Sequence, residues 1–129
     1  MNKRLLLAGA IFGCSGVLIG AFGAHGLEKL IDIDAQATFE TGVRYQMYHA
    51  LLLLLVSTFA LSEKTKKTIF ILGVSGVILF SGSIYGLATN ELTGFDFKKI
   101  AMLTPLGGTL LIAAWAVLVV QFFKMKVEK

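Results

Sequence analysis

Four stretches of this chain carry no charged side chain: residues 5–27, 45–62, 68–90 and 100–123, which are 23, 18, 23 and 24 residues long. A helix rises about 1.5 Å per residue, so each stretch can cross a hydrocarbon layer roughly 30 Å thick. Together they take up 88 of the 129 residues, which leaves connections too short to fold into a domain of their own. Inside lipid every backbone amide must be satisfied within the structure. Stretches this long and this continuously apolar are not the short alternating strands of a barrel. The sequence therefore predicts an all-α, polytopic membrane protein: one four-transmembrane-helix bundle over residues 1–129.

The net charge of +4 would suggest nucleic acid in a soluble chain. Its distribution argues otherwise. Lys3 and Arg4, then Lys64, Lys66 and Lys67, then Lys124, Lys126 and Lys129 make up eight of the twelve basic residues. They occupy the N-terminus, the second connection and the C-terminus. The first and third connections hold only Lys29, Arg44, Lys98 and Lys99, together with six of the eight acids: Glu28, Asp32, Asp34, Glu40, Glu91 and Asp96. The positive-inside rule predicts both termini in the cytoplasm of a multi-pass protein of the bacterial cell membrane. The partners expected are the lipid bilayer and a membrane protein or a second copy of the chain, with no nucleic acid.

Lys3 and Arg4 ahead of an apolar stretch, with Ala21-Phe22-Gly23 behind it, also fit a cleaved signal peptide. The stretch exceeds the usual length of such a segment and its glycines suit packing, so a retained helix is expected. Cys14 has no second cysteine to pair with and is expected to be a small buried apolar residue.

The first helix is expected over about residues 5–24. Gly9, Gly13, Gly16 and Gly20 recur along it at spacings of four and three, which puts them on one face where another backbone can approach closely. A helix of the same chain is the first expectation for that neighbour. The second helix is expected over about 35–61, with Asp34 as its N-cap, its first turns along the interface and a hinge at Gly42. Ile31, Ala35, Phe39 and Gly42 or Val43 mark its apolar stripe, and a basic turn over 62–68 follows it. The third helix is expected over 69–88, with Gly73 and Gly76, then Gly82 and Gly86, at packing positions. The fourth is expected over 100–123. There Thr104-Pro105 either caps and opens the helix, or Pro105 kinks a helix beginning near Ile100.

Threaded through the membrane four times, the chain brings its polar intramembrane residues to one side. These are His25 from the first helix; Arg44, Tyr45, Gln46, Tyr48 and His49 from the second; Ser81, Ser83 and Tyr85 from the third; and Thr104 from the fourth. His25, Arg44, Tyr45, Tyr48, His49, Ser83, Tyr85 and Thr104 form the candidate ligand site, with His25, Tyr45, His49 and Tyr85 expected to converge. Arg44 can reach outward to lipid phosphates or to Glu40, and tyrosines suit the interfacial belt. His49 lies roughly 7 Å deeper than Arg44, so its ring needs a partner. A structural hydrogen bond is expected, to Tyr85 or to a serine of the third helix.

Two histidines facing each other across a bundle could hold a haem iron. A closed zinc site lacks its pattern here, because there is no Cys-x-x-Cys, no His-x-x-x-His and no intramembrane carboxylate. No serine lies in a nucleophile elbow, so no catalytic residue is assigned and neither a cofactor nor a metal is expected. The size and topology are similar to those of the small multidrug transporters. Those exchangers use a glutamate in the first helix, and residues 5–27 contain no carboxylate. A pore or carrier using His49 stays open as a second reading.

Residues 20–27 (GAFGAHGL), 39–54 (FETGVRYQMYHALLLL), 76–87 (GVILFSGSIYGL) and 103–118 (LTPLGGTLLIAAWAVL) sample all four helices in order. On these motifs the chain resembles the YwdK-like family of small membrane proteins, the domain of unknown function numbered 423. The resemblance implies a polytopic membrane protein from a family found in bacteria and eukaryotic organelles. It brings no established activity, substrate or catalytic residue. The reading it leaves first is a non-enzymatic protein that supports membrane organisation or complex assembly. A small transporter or channel and a haem- or metal-binding redox protein follow as alternatives.

Overall fold

A computed structural model describes residues 2–92 and 101–126. The apolar stretches are helical: α1 spans Asn2–His25, α2 Ile33–Val56, α3 Glu63–Ala88 and α4 Leu103–Lys124. Short 3₁₀ turns follow α1 at Leu27–Lys29 and α3 at Asn90–Leu92. Among the described residues there is no strand. Side-chain caps set two of the boundaries. Asp32, rather than Asp34, caps α2, its carboxylate accepting from the Ala35 amide at 2.7 Å. Ser62 does the same for α3 through the Thr65 amide.

The α2–α3 connection differs from the expected one. Helix α2 ends at Val56, not near Leu61, where the Ser57 and Thr58 hydroxyls bond back to the carbonyls of Leu54 and Leu55. Because Ser62 caps so early, Lys64, Lys66 and Lys67 sit on the first turns of α3 instead of in a loop. Local hydroxyl chemistry outweighed the hydropathy of Phe59-Ala60-Leu61. Helix α2 also runs unbroken through Gly42, without the expected hinge. Helix α4 opens at Leu103 with Met102, not Thr104, at the N-cap position, and Pro105 is its third residue, still in the first turn where an amide hydrogen has no partner to lose. Ile100, the other proposed start, lies outside the described residues.

Helices α1, α3 and α4 are each long and apolar enough to cross a membrane. Helix α2 is as long at 24 residues, about 36 Å, but its first half is more polar than theirs. It lies antiparallel to α1 from end to end, with Gly9 against Ala50 and Leu54, Gly16 against Met47, Gly20 against Val43 and Gly23 against Phe39. On its other side Gly42 meets Tyr85 and Leu53 meets Gly73 of α3. A helix flanked along its whole length by two helices of membrane-crossing length and hydropathy occupies the same slab, and two of its polar groups, Gln46 and His49, are buried against protein.

Helices α2 and α3 form the central pair, with α1 packed chiefly on α2 and α4 on α3. The first described residues of α1, the α2–α3 turn and the end of α4 meet at one end of the bundle. There Leu5, Leu52, Leu53, Val56, Ile69 and Leu118 make a buried cluster, and Phe59 packs edge-on against Phe122. A smaller cluster of Leu27, Phe39 and Ala88 closes the opposite end.

No described glycine has positive φ, so size rather than backbone freedom explains these positions. A Cβ at Gly9 would come within 2.8 Å of the Ala50 carbonyl oxygen, and one at Gly76 would meet Leu111. One at Gly107 would collide with the backbone of Leu79 and Phe80. Two of the expected packing glycines do not pack. Gly13 and Gly82 have nothing within 4 Å, while Gly86 is buried. Gly13 lies at the edge of the α1 stripe, and Gly23 takes the fourth place in it. Cys14, expected to be buried, is exposed on the outer side of α1.

Candidate functional site

The candidate residues do not form one site. His25 stands exposed at the end of α1. Gly23, two residues earlier, packs on Phe39, so His25 is level with about residue 37 of α2 and about 18 Å from His49 along the bundle. One iron cannot take both histidines as axial ligands at that separation, so the residues present do not fit a bis-histidine haem. Arg44 pairs with Glu40 at 3.5 Å on the exposed face of α2, one of its two expected outlets. Tyr48 is half-exposed and rests edge-on against Tyr45.

The remaining polar side chains sort into separate bridges between helices. On the α1 side, Gln46 is the hub. Its amide nitrogen donates to the Phe12 carbonyl at 2.9 Å and to the Ser15 hydroxyl at 2.8 Å, while its oxygen accepts from the Tyr85 hydroxyl at 2.6 Å. One residue of α2 thus ties α1 to α3. Beside it the Ser81 hydroxyl donates to the Gly42 carbonyl at 2.7 Å, a second bond between α2 and α3. Helix α4 is held through other groups. The Ser83 and Thr104 hydroxyls share a hydrogen bond at 2.5 Å.

His49 is 3% exposed and turns toward α4, not toward Tyr85 or a serine of α3. Its Nε2 accepts from the Trp115 indole N–H at 3.1 Å, and its Nδ1 lies 2.7 Å from the Tyr45 carbonyl. The indole can only donate and the carbonyl can only accept, so together they specify the neutral ring with its proton on Nδ1. Both nitrogens are spent. A proton added to Nε2 would set two N–H donors against each other, and a metal there would have to displace Trp115. Tyr45 stacks on His49 and meets Phe80 edge-on, on the side away from Tyr85. The expected convergence of His25, Tyr45, His49 and Tyr85 is thereby corrected. Helix α2 turns 100° per residue, so neighbouring Gln46 and Tyr45 serve opposite gaps in the bundle.

At the basic end a further bridge was not anticipated. Lys66, only 5% exposed, donates to Asn2 Oδ1 at 3.0 Å and to the Ser57 carbonyl at 3.1 Å, joining α1 to the α2–α3 turn. Among the described residues, no buried side-chain nitrogen or oxygen lacks a partner.

Ser15, Gln46, Ser81, Trp115 and the Asn2–Lys66 pair carry these bridges and fall outside the candidate set. Gln46 had a readable signal, because extending the stripe Phe39, Gly42 by one turn lands on it. Trp115 had none. Which helix would face His49 depends on how the pairs of helices assemble.

The fold and these bridges define a helical, polytopic membrane protein whose intramembrane polar side chains bond mainly to one another and to backbone carbonyls. The chain belongs to the family described as Protein of unknown function (DUF423), which matches residues 19–108. It is 37% identical to a UPF0382 membrane protein of Haemophilus influenzae over 97% of both chains. It is also 37% identical to the UPF0382 membrane protein YwdK of Bacillus subtilis, over 95% of this chain and 98% of that one. With the UPF0382 inner membrane protein YgdD of Escherichia coli the identity is 34%, over 97% and 93%. No solved structure matches the fold.

Proposed function

We propose that this is a non-enzymatic integral membrane protein that supports membrane organisation or the assembly of membrane complexes, with its basic end and both termini in the cytoplasm. The observation that carries the reading is the use of the polar groups. Gln46, His49, Ser81, Ser83, Tyr85 and Thr104 are committed to bonds between helices. Groups already paired in a low-dielectric interior are poorly placed to take up a substrate proton or to act as nucleophiles. The basic residues gathered at the end where α1 begins and α4 finishes support that orientation.

A second reading, a small transporter or channel, draws support from a groove of about 230 Å3 between α1 and α3, whose lining includes Ser15, Gln46, Ser81 and Tyr85. Sealed liposomes separate the two. The first reading expects ion and metabolite flux at the level of protein-free vesicles. It also expects that deleting the gene changes the migration of at least one membrane complex in native gels, restored by the wild-type chain. Flux that Gln46→Leu abolishes, with all complexes unchanged, would establish the second reading. For orientation, alkaline phosphatase fused after Lys126 should stay inactive, and an active fusion would reverse the assignment.

A further inference from the structure

The gap between α2 and α4 holds a cavity of about 290 Å3 beside the His49–Trp115 bond, and nothing in the role above uses it. Its walls are mostly rings. Tyr45 and Phe80 meet edge-on with centroids 5.1 Å apart, Tyr45 and His49 stack at 6.3 Å, and His49 and Trp115 meet edge-on at 6.1 Å. Gly108, Leu111 and Ile112 line the rest of it. Gly108 is the wall without a side chain, and a Cβ there would lie 3.5 Å from the Phe80 ring. Tyr45 and Trp115 are 40% and 47% exposed, so the cavity opens sideways, toward the lipid. Both residues stand twelve positions into their helices, about 18 Å from the helix starts.

The lining decides what can occupy it. No charged side chain contributes, so a cation would have no counter-ion and an anion no arginine or lysine to meet it. The volume is near the lower limit of small-molecule sites, roughly 300 Å3, which accommodates a one- or two-ring group but not a whole lipid. Aromatic walls in stacked and edge-on orientations favour a flat ring over a flexible acyl chain, because ring edges and faces carry complementary charge. One polar group remains available. The His49 nitrogens are both occupied, whereas the Tyr45 hydroxyl bonds to no described residue and can donate to a carbonyl.

We propose that this cavity is a lateral binding site for the flat, uncharged ring of a lipid-soluble molecule, of the kind a one- or two-ring quinone presents, entered from within the bilayer between α2 and α4.

Trp115 is the only tryptophan in the chain, so the site has its own reporter. The experiment titrates 2-methyl-1,4-naphthoquinone into the full-length protein in nanodiscs and follows Trp115 emission. The expected result is saturable quenching at one ring per chain. Gly108→Leu and Ile112→Phe, which extend side chains into the space, should weaken it by about tenfold or more, the scale of one or two lost aromatic contacts. Gly82→Leu, in the other groove, should titrate as wild type. Ile112 is exposed, so its variant keeps the test decisive if Gly108→Leu fails to fold. Quenching that rises linearly without saturation would overturn the proposal, as would identical titrations for wild type and a folded pocket variant. Saturable quenching by lipids brominated in their acyl chains, which the naphthoquinone does not displace, would also overturn it by assigning the cavity to an acyl chain.

Discussion

Gln46→Leu should be among the most damaging polar-to-apolar changes in the bundle, and its cost should be coupled to Tyr85 but not to His49. The Gln46 side chain is 4% exposed and makes three bonds, to Phe12, Ser15 and Tyr85. Interhelical hydrogen bonds in membranes average about 0.6 kcal/mol and reach about 1.7, because the helices separated in lipid also find partners. Three such bonds predict a loss of about 2 kcal/mol, with an upper limit near 5. The Ser15 hydroxyl keeps a bond to the Ile11 carbonyl at 2.7 Å, and leucine recovers much of the volume, so the lower figure is the better expectation.

Tyr85→Phe removes only the 2.6 Å bond and leaves the Gln46 oxygen unpaired, so it should cost about 1 kcal/mol. The double variant should lose less than the sum by about 0.6–1.7 kcal/mol, the coupling energy of one bond. Gln46→Leu with His49→Leu should be additive to within about 0.5 kcal/mol, since the two side chains share no partner. Equilibrium unfolding in mixed micelles, followed by circular dichroism, measures all of these. Coupling near zero between Gln46 and Tyr85, or equal coupling between Gln46 and His49, would refute the two-bridge description.

Four further outcomes follow from the same contacts. Gly107→Ala should destabilise by about 1–3 kcal/mol or more, because the new methyl meets the backbone of Leu79 and Phe80. Gly82→Ala should be neutral or stabilising by up to about 1 kcal/mol, as the space is open and alanine is the better helix former. Equal losses at the two sites in an unfolding titration would show that close approach is not what glycine provides here. His49→Leu should cost about 1–2 kcal/mol and move the Trp115 emission to shorter wavelength, because the indole N–H loses its acceptor. An unmoved spectrum would argue against that bond. Lys66→Met should speed amide exchange in the first turn of α1 by removing the bond to Asn2, while the middle of α1, held by Gly16 and Gln46, stays protected. Uniform protection throughout α1 would mean that Lys66 does not anchor it.

The relation of these contacts to the one-dimensional pattern is uneven. Charge-free length and helical period are properties of consecutive residues. The class, the helical architecture and the packing role of Gly9, Gly16 and Gly20 could therefore be read directly. The end of α2 was harder, because Phe59-Ala60-Leu61 is as apolar as the helix before it. The competition between Ser57, Thr58 and Ser62 and the helix hydrogen bonds is short-range but energetically close.

Grouping the polar residues by depth placed them near one another, which was sound as far as it went. Depth is one coordinate of three. Rotation about the helix axis and the choice of neighbour are the other two, and for an inner helix such as α2, bonded on both flanks, a one-residue step changes the partner helix. The sequence alone therefore determined that this chain lives in the membrane, that it is a bundle of helices, and that His49 needs a partner. Only the tertiary structure decided that the partner is Trp115, that Gln46 is the hub of the opposite bridge, and that His25 belongs to neither. Lipid solvates every apolar helix face about equally well, so hydropathy says which residues are inside the bilayer and leaves shape and hydrogen bonding to choose which faces meet.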